Sequence, residues 1–155
     1  MIAEYIFSFY IWIAPPLLFS QPIPNLPFLV GEKLTYNISW FGISAGTSVV
    51  SVSERTTYIG TPVIRFSSTV ESNKFFSLFY PVDDLFESLW DPIERHPLYY
   101  RLIQREGTYR SYKEIILDQE NNFAFYKRNK EPAWGYVIRY GVQDALSSLY
   151  YLRSI

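Results

Sequence analysis

Four carboxylates, Asp83, Asp84, Glu87 and Asp91, lie within nine residues and are the densest group in this sequence with the makings of chemistry. Hard cations such as calcium need several carboxylate oxygens converging at about 2.3–2.6 Å. Glycoside hydrolysis needs two carboxyls about 5–9.5 Å apart across a cleft. The surrounding residues read as a strand, whose period of two puts Asp84 on the face opposite Glu87 and Asp91, and there is no D-x-D-x-D-G loop. The cluster is therefore read as a solvated edge. His96 is the single histidine, set between Arg95 and Pro97, and a Ser-His-Asp arrangement would rest on it alone; it is read as a turn residue. Gly42 and Gly46 follow no βα pattern and lack the Lys-Ser/Thr ending of a phosphate loop. With no cysteine, disulfides, thiolate metal sites and cysteine nucleophiles are all excluded. No cofactor, no metal and no enzymatic activity are expected.

Tyr99, Tyr100, Arg101, Arg105, Tyr109, Arg110, Tyr112 and Lys113 interleave aromatics with cations, as a platform for single-stranded nucleic acid would. On antiparallel strands the same pattern arises from cross-strand pairing on a solvated face, and that reading is preferred. The 14 Lys and Arg nearly balance the 15 Asp and Glu, so no global field draws in nucleic acid. The aromatic residues carry the functional hint: Trp40, Phe66, Phe86 and Trp90 project from alternating strands toward one concave side, with Leu149 on the helix roofing it. Two outcomes are open, an apolar ligand pocket or a filled core, and large aromatics in a small sheet favour the core. A lipid carrier would show an empty apolar cavity of several hundred Å³ under the helix. A protein-interaction module would show a packed core and an exposed aromatic patch.

The elements that must position these residues follow from periodicity. Residues 32–41 alternate strictly, with Leu34, Tyr36, Ile38 and Trp40 on one face and Lys33, Thr35, Asn37 and Ser39 on the other. The small residues 42–46 predict a turn, and residues 47–55 return as a hairpin strand. Further strands are predicted over 62–71, 83–91, 97–105, 108–118 and 122–128, with turns at Glu106-Gly107 and at 119–121. Residues 72–82 (SNKFFSLFYPV) are too aromatic for an exposed loop, so burial is expected there. The period changes to 3.6 near the end: Val142, Ala145, Leu146, Leu149 and Leu152 form a stripe, Asp144 falls in the first turn and Arg153 in the last, which predicts a helix over 141–153. The fold class is α+β, mostly β: a curved antiparallel sheet, or open half-barrel meander, with one C-terminal helix packed on it.

Residues 6–19 are almost wholly apolar and are followed by a polar, proline-rich stretch, the pattern of a signal peptide over residues 1–20. As a helix, 14 residues would reach about 21 Å, short of the hydrocarbon core of about 30 Å, and Pro15-Pro16 would break it. No permanent transmembrane span is expected after processing. Residues 21–31, with three prolines, are read as an extended linker, and 32–155 as the domain. Export to the periplasm, or association with the outer membrane, follows as the expected location. Its expected partners are a lipid or other apolar ligand, or an envelope protein, and no nucleic acid.

Several segments together resemble DUF3108, a bacterial family of exported proteins without an assigned activity. They are residues 30–36 (VGEKLTY), 40–47 (WFGISAGT), 79–91 (FYPVDDLFESLWD), 106–109 (EGTY) and 142–153 (VQDALSSLYYLR). The resemblance implies fold and compartment and brings no catalytic residues. Such proteins run on past the YYLR helix into further strands, so it also implies a chain truncated within the C-terminal part of the sheet.

Overall fold

The computed structural model describes residues 25–155; the predicted signal peptide lies outside them. Eight strands follow one another in space as in sequence: β1 (Lys33–Trp40), β2 (Ile43–Tyr58), β3 (Thr61–Ser72), β4 (Asp83–Asp91), β5 (His96–Glu106), β6 (Tyr109–Asp118), β7 (Phe123–Arg128) and β8 (Trp134–Val137). All seven pairings are antiparallel, and β1 and β8 are the edges of an open sheet. The expected meander is present. Register shifts at Ile38/Ser39, Val52/Arg55 and Leu89/Trp90 interrupt the ladders, and bulges of this kind bend strands and raise local twist.

The β1–β2 turn is tighter than the run of small residues predicts. Phe41 and Gly42 alone make it, both with positive φ (48° and 79°), the backbone form of two-residue hairpins. Ile43, Ser44, Ala45 and Gly46 already belong to β2. Ile59-Gly60 turns β2 into β3 in the same way. The strand β8 has no counterpart among the predicted elements.

Helix α1 spans Ser147–Arg153, six residues later at its start than the apolar stripe predicts. Asp144 is the reason. Its Oδ1 accepts the backbone N–H groups of Leu146 and Ser147 at 2.8 and 2.9 Å, so it closes a turn ahead of the helix instead of standing inside it. Its Oδ2 accepts the Ser88 hydroxyl at 2.6 Å, which ties that turn to β4. The inward face of α1 is also rotated: Ser147 and Tyr150 are buried, while Leu149 and Leu152 face outward.

The core lies between α1 and the β2–β4 part of the sheet. Phe66 and Trp90 are fully buried, and Tyr150 stacks on Phe66 with ring centroids 3.9 Å apart. Phe28 closes the cluster edge-on, at 5.5 Å from Phe66, 6.1 Å from Trp90 and 5.0 Å from Tyr150. Offset and edge-on pairs add about 0.5–1.5 kcal/mol each beyond area burial. Residues 26–28 thus pack into the domain, where the proline pattern predicts linker. Arg153 fastens this seam: its guanidinium donates to Glu32 at 2.5 and 3.0 Å and lies over the Phe28 and Tyr150 rings.

Candidate functional site

The other end of the same sheet face is built differently. Ile38, Gly46, Val70 and Ser72 share the face of Phe66 by register but lie beyond the reach of α1. Above them arches the β3–β4 connection, which carries a single 3₁₀ turn, η1 (Phe76–Leu78). Between arch and sheet is an apolar cleft of about 700 Å³, bounded by Ile38, Trp40, Ala45, Val70, Phe76 and Val82 among others. Cavities of about 300–1,000 Å³ are typical of small-molecule sites.

Hydrogen bonds hold the arch at both feet. Asn73 donates its backbone N–H to the Ala45 carbonyl and its side-chain amide to the Ser44 carbonyl, and its Oδ1 accepts the Phe76 N–H. The Ser77 hydroxyl donates to the Asn73 carbonyl at 2.7 Å. At the far foot, Ser72 and Val82 exchange a backbone bond of 3.0 Å and a backbone-to-hydroxyl bond of 2.9 Å. Gly107 donates its N–H to the Pro81 carbonyl at 2.7 Å, and the Tyr80 ring lies so close that a Cβ on Gly107 would touch it. The floor needs Gly46 for a similar reason, since a Cβ there would fall on the Glu71 carbonyl. The cleft is preformed by these contacts.

Around its mouth runs a chain of edge-on aromatic contacts, Phe41 to Trp40, Trp40 to Phe76, Phe76 to Phe75 and Phe75 to Phe79, with centroids 5.0–6.3 Å apart. Trp40 is 62% exposed, Phe79 74% and Phe41 87%. Aromatic density in residues 72–82 predicts burial, yet Phe75, Leu78, Phe79 and Tyr80 stand in the open. Contiguous exposed apolar surface of this sort marks binding sites on soluble domains.

The five residues expected to line one concave pocket divide three ways. Phe66 and Trp90 meet in the core, with Phe86 half-buried and packed against it. Trp40, the last residue of β1, stands apart at the cleft, which it lines together with Ile38. Leu149 sits on the outer face of α1. Under the helix, Phe28 and Tyr150 occupy the space that a ligand would take.

The acidic residues of β4 each have a separate task. Asp83 pairs with Arg105 at 2.9 Å, Glu87 with Arg101, and Asp91 Oδ1 accepts the N–H groups of Ile93 and Glu94 in the β4–β5 turn. Asp84 is buried and accepts the Arg105 N–H at 2.8 Å; burial pushes its carboxyl above the usual range. Among the described residues no three His, Asp or Glu side chains are placed to hold one metal ion. The Tyr-and-cation run is cross-strand pairing, with Tyr99 donating to Glu114 at 2.7 Å and Arg128 donating to the Tyr109 hydroxyl at 3.0 Å. No helix among the described residues is long and apolar enough to cross a membrane.

An open antiparallel meander, sealed by a C-terminal helix at one end and carrying an apolar cleft under an aromatic arch at the other, defines a mostly β protein with an unclosed sheet. The family described as "Protein of unknown function (DUF3108)" matches over residues 35–155, and the chain belongs to it. Comparisons with curated proteins and with solved structures find no match.

Proposed function

We propose that this protein is an exported, non-enzymatic cell-envelope component, periplasmic or associated with the outer membrane, that binds an apolar ligand such as a lipid acyl chain. The observation that carries the reading is the preformed cleft between the sheet and the Phe75–Phe79 arch. Its walls are apolar, so affinity would come from burial at about 25 cal/mol per Å². The apolar run at residues 6–19, read as a signal peptide, supports export. The site differs from the roofed pocket that the aromatic residues predict, because the helix-covered end is filled by side chains.

Native mass spectrometry with solvent extraction, on protein purified from a bacterial periplasm, tests the reading. A stoichiometric apolar adduct that is lost in Trp40→Ala is the expected result. A clean apo mass in repeated preparations, with no uptake of added fatty acid, would overturn it. The outward aromatic rim supports a second reading, an envelope protein docking on Phe41, Phe75 and Phe79; pull-down from envelope extracts with and without Phe79→Ser tests that one.

A further inference from the structure

Strand β1 (KLTYNISW) has a mirror pattern of residue types about Asn37. Leu34 and Tyr36 answer Trp40 and Ile38, and Thr35 answers Ser39. A strand patterned in this way is complementary to itself. Laid antiparallel on a second copy with Asn37 opposite Asn37, each apolar residue meets an apolar one and each hydroxyl a hydroxyl. The faces agree as well: Leu34 packs against the core while Ile38 and Trp40 line the cleft, so the apolar residues of both copies fall on the same side of one continuous sheet.

The edge is open to such pairing. β1 is a terminal strand of the sheet, and of its residues only Leu34 is half-buried, the rest being exposed. Gly31 donates to the Val52 carbonyl and Val52 to that of Glu32; counting the antiparallel alternation from there turns the N–H and C=O groups of Thr35, Asn37 and Ser39 away from β2. The irregularity at Ile38/Ser39 leaves β1 continuous, because the extra residue, Ala45, is on β2. Sheet edges are ordinarily blunted by short length, proline or charge. The opposite edge follows that rule, since β8 has four residues and comes directly after Lys130, Glu131 and Pro132. By contrast β1 has eight residues, no proline and a single charge, Lys33, at its end. The Ser44 hydroxyl donates to Asn37 Oδ1 at 2.7 Å, which leaves the Asn37 side-chain amide hydrogens to donate across a two-fold axis.

We propose that β1 is a homodimer interface, in which two copies join edge to edge about a two-fold axis at Asn37 and double the eight-stranded sheet. An isologous pairing of this kind closes at two subunits. Thr35, Asn37 and Ser39 of the two copies contribute about six backbone hydrogen bonds. Ile38 then lies against Tyr36 of the partner subunit and Trp40 against the partner subunit's Leu34, so the second copy extends the wall of the cleft beyond β1. The pairing stands whether or not that cleft takes an acyl chain. A seven-residue edge is small beside the about 1,200–2,000 Å² of a standard interface, so the midpoint of association is expected on the order of 10 µM.

Sedimentation velocity on the protein purified from a bacterial periplasm, carried to about 200 µM or some twenty times that midpoint, should show a dimer as the largest species. Tyr36→Lys removes both Tyr36–Ile38 pairs and sets like charges near the axis, so it should raise the midpoint at least about tenfold. Val137→Lys, on the β8 edge, should leave it unchanged, and far-ultraviolet circular dichroism checks that both variants fold. The chain has no cysteine, so a single introduced thiol reports the register. Asn37→Cys places two thiols across the axis, where opposed Cα atoms are about 5.5 Å apart and within disulfide reach. Lys33→Cys places them eight residues, or about 27 Å, apart. Oxidation should link the Asn37→Cys variant into a covalent dimer and leave the Lys33→Cys variant unlinked. A monomer throughout the concentration range, growth past the dimer, association weakened by Val137→Lys instead of Tyr36→Lys, or linking that is absent at Asn37→Cys or equal at both positions would overturn the proposal.

Discussion

Trp40→Ala and Phe66→Ala remove aromatic rings from the same sheet face, and the two ends of that face should answer differently. Phe66 is fully buried, stacked on Tyr150 and edge-on to Phe28. Truncating it leaves a cavity among side chains fixed by one another, at a cost of about 3–5 kcal/mol. Trp40 is 62% exposed. If a tryptophan buries up to about 250 Å², the covered part is about 95 Å², which at 25 cal/mol per Å² is an upper limit of about 2.4 kcal/mol. Urea unfolding followed by far-ultraviolet circular dichroism measures both costs, and fluorescence titration with cis-parinaric acid measures capture of an acyl chain. Trp40→Ala should keep most of its stability and lose at least about tenfold in affinity, since each 1.4 kcal/mol of lost contact is a factor of ten. Phe66→Leu, a milder change that keeps the domain folded, should bind as wild type. Equal affinity in Trp40→Ala and wild type would refute the cleft as the ligand site. A stability loss in Trp40→Ala matching that of Phe66→Ala would refute the division of the face into core and site.

The Tyr150 hydroxyl is sealed in the core without a partner, and burial pushes its pKa up to about 12. Tyr150→Phe should raise the urea midpoint by the equivalent of about 1 kcal/mol, and a lowered midpoint would show that the hydroxyl is bonded in solution. Gly46→Ala should destabilise by about 1–3 kcal/mol, because the new Cβ meets the Glu71 carbonyl and backbone must move; thermal unfolding checks it. Two carboxylates give pH dependences of opposite sign. The Arg153 hydrogen bond holds Glu32 below its ordinary value, so its contribution is present above the unfolded carboxylate range and lost as pH falls through the lowered value. Burial raises Asp144 against the pull of the Ser88 hydroxyl and the Ser147 and Leu146 amides, so stability falls as pH rises from the unfolded range through the raised value. Urea midpoints from pH 3 to 7 should lose the first slope in Glu32→Gln and the second in Asp144→Asn, and unchanged profiles would contradict the assignments.

How much of this is legible in the residues depends on whether the deciding contact is local. The alternation of Ile64, Phe66, Ser68 and Val70 in β3, or of Leu34, Tyr36 and Ile38 in β1, records the sheet directly, since a one-residue slip would turn every apolar side chain outward. The strand β8 is four residues long, follows Pro132-Ala133 and contains Gly135; its extended form comes from pairing with β7, which no window of its own sequence contains. The helix shows the same limit in finer form. A 3.6-residue period is visible from Val142 onward, but which arc of the stripe faces inward is chosen by the Asp144–Ser88 tie and the Phe66–Tyr150 stack, both of them contacts across more than 50 residues. That rotation explains why the stripe puts Leu149 on the roof while the folded chain puts Tyr150 there. The candidate site is the hardest part to read. A run such as KFFSLFY has the same composition whether covered or open, because nothing in its own residues says whether another element lies over it. The asparagine and the serines in and beside it are the available clue: Asn73, Ser72 and Ser77 satisfy the loop's own backbone and anchor it to β2 and to the end of β3, so the loop holds its shape without a cover. A loop that pins itself with polar side chains and leaves its large aromatics exposed presents apolar surface that the core beneath α1 does not need, which is the physical ground for seeking the ligand at the arch.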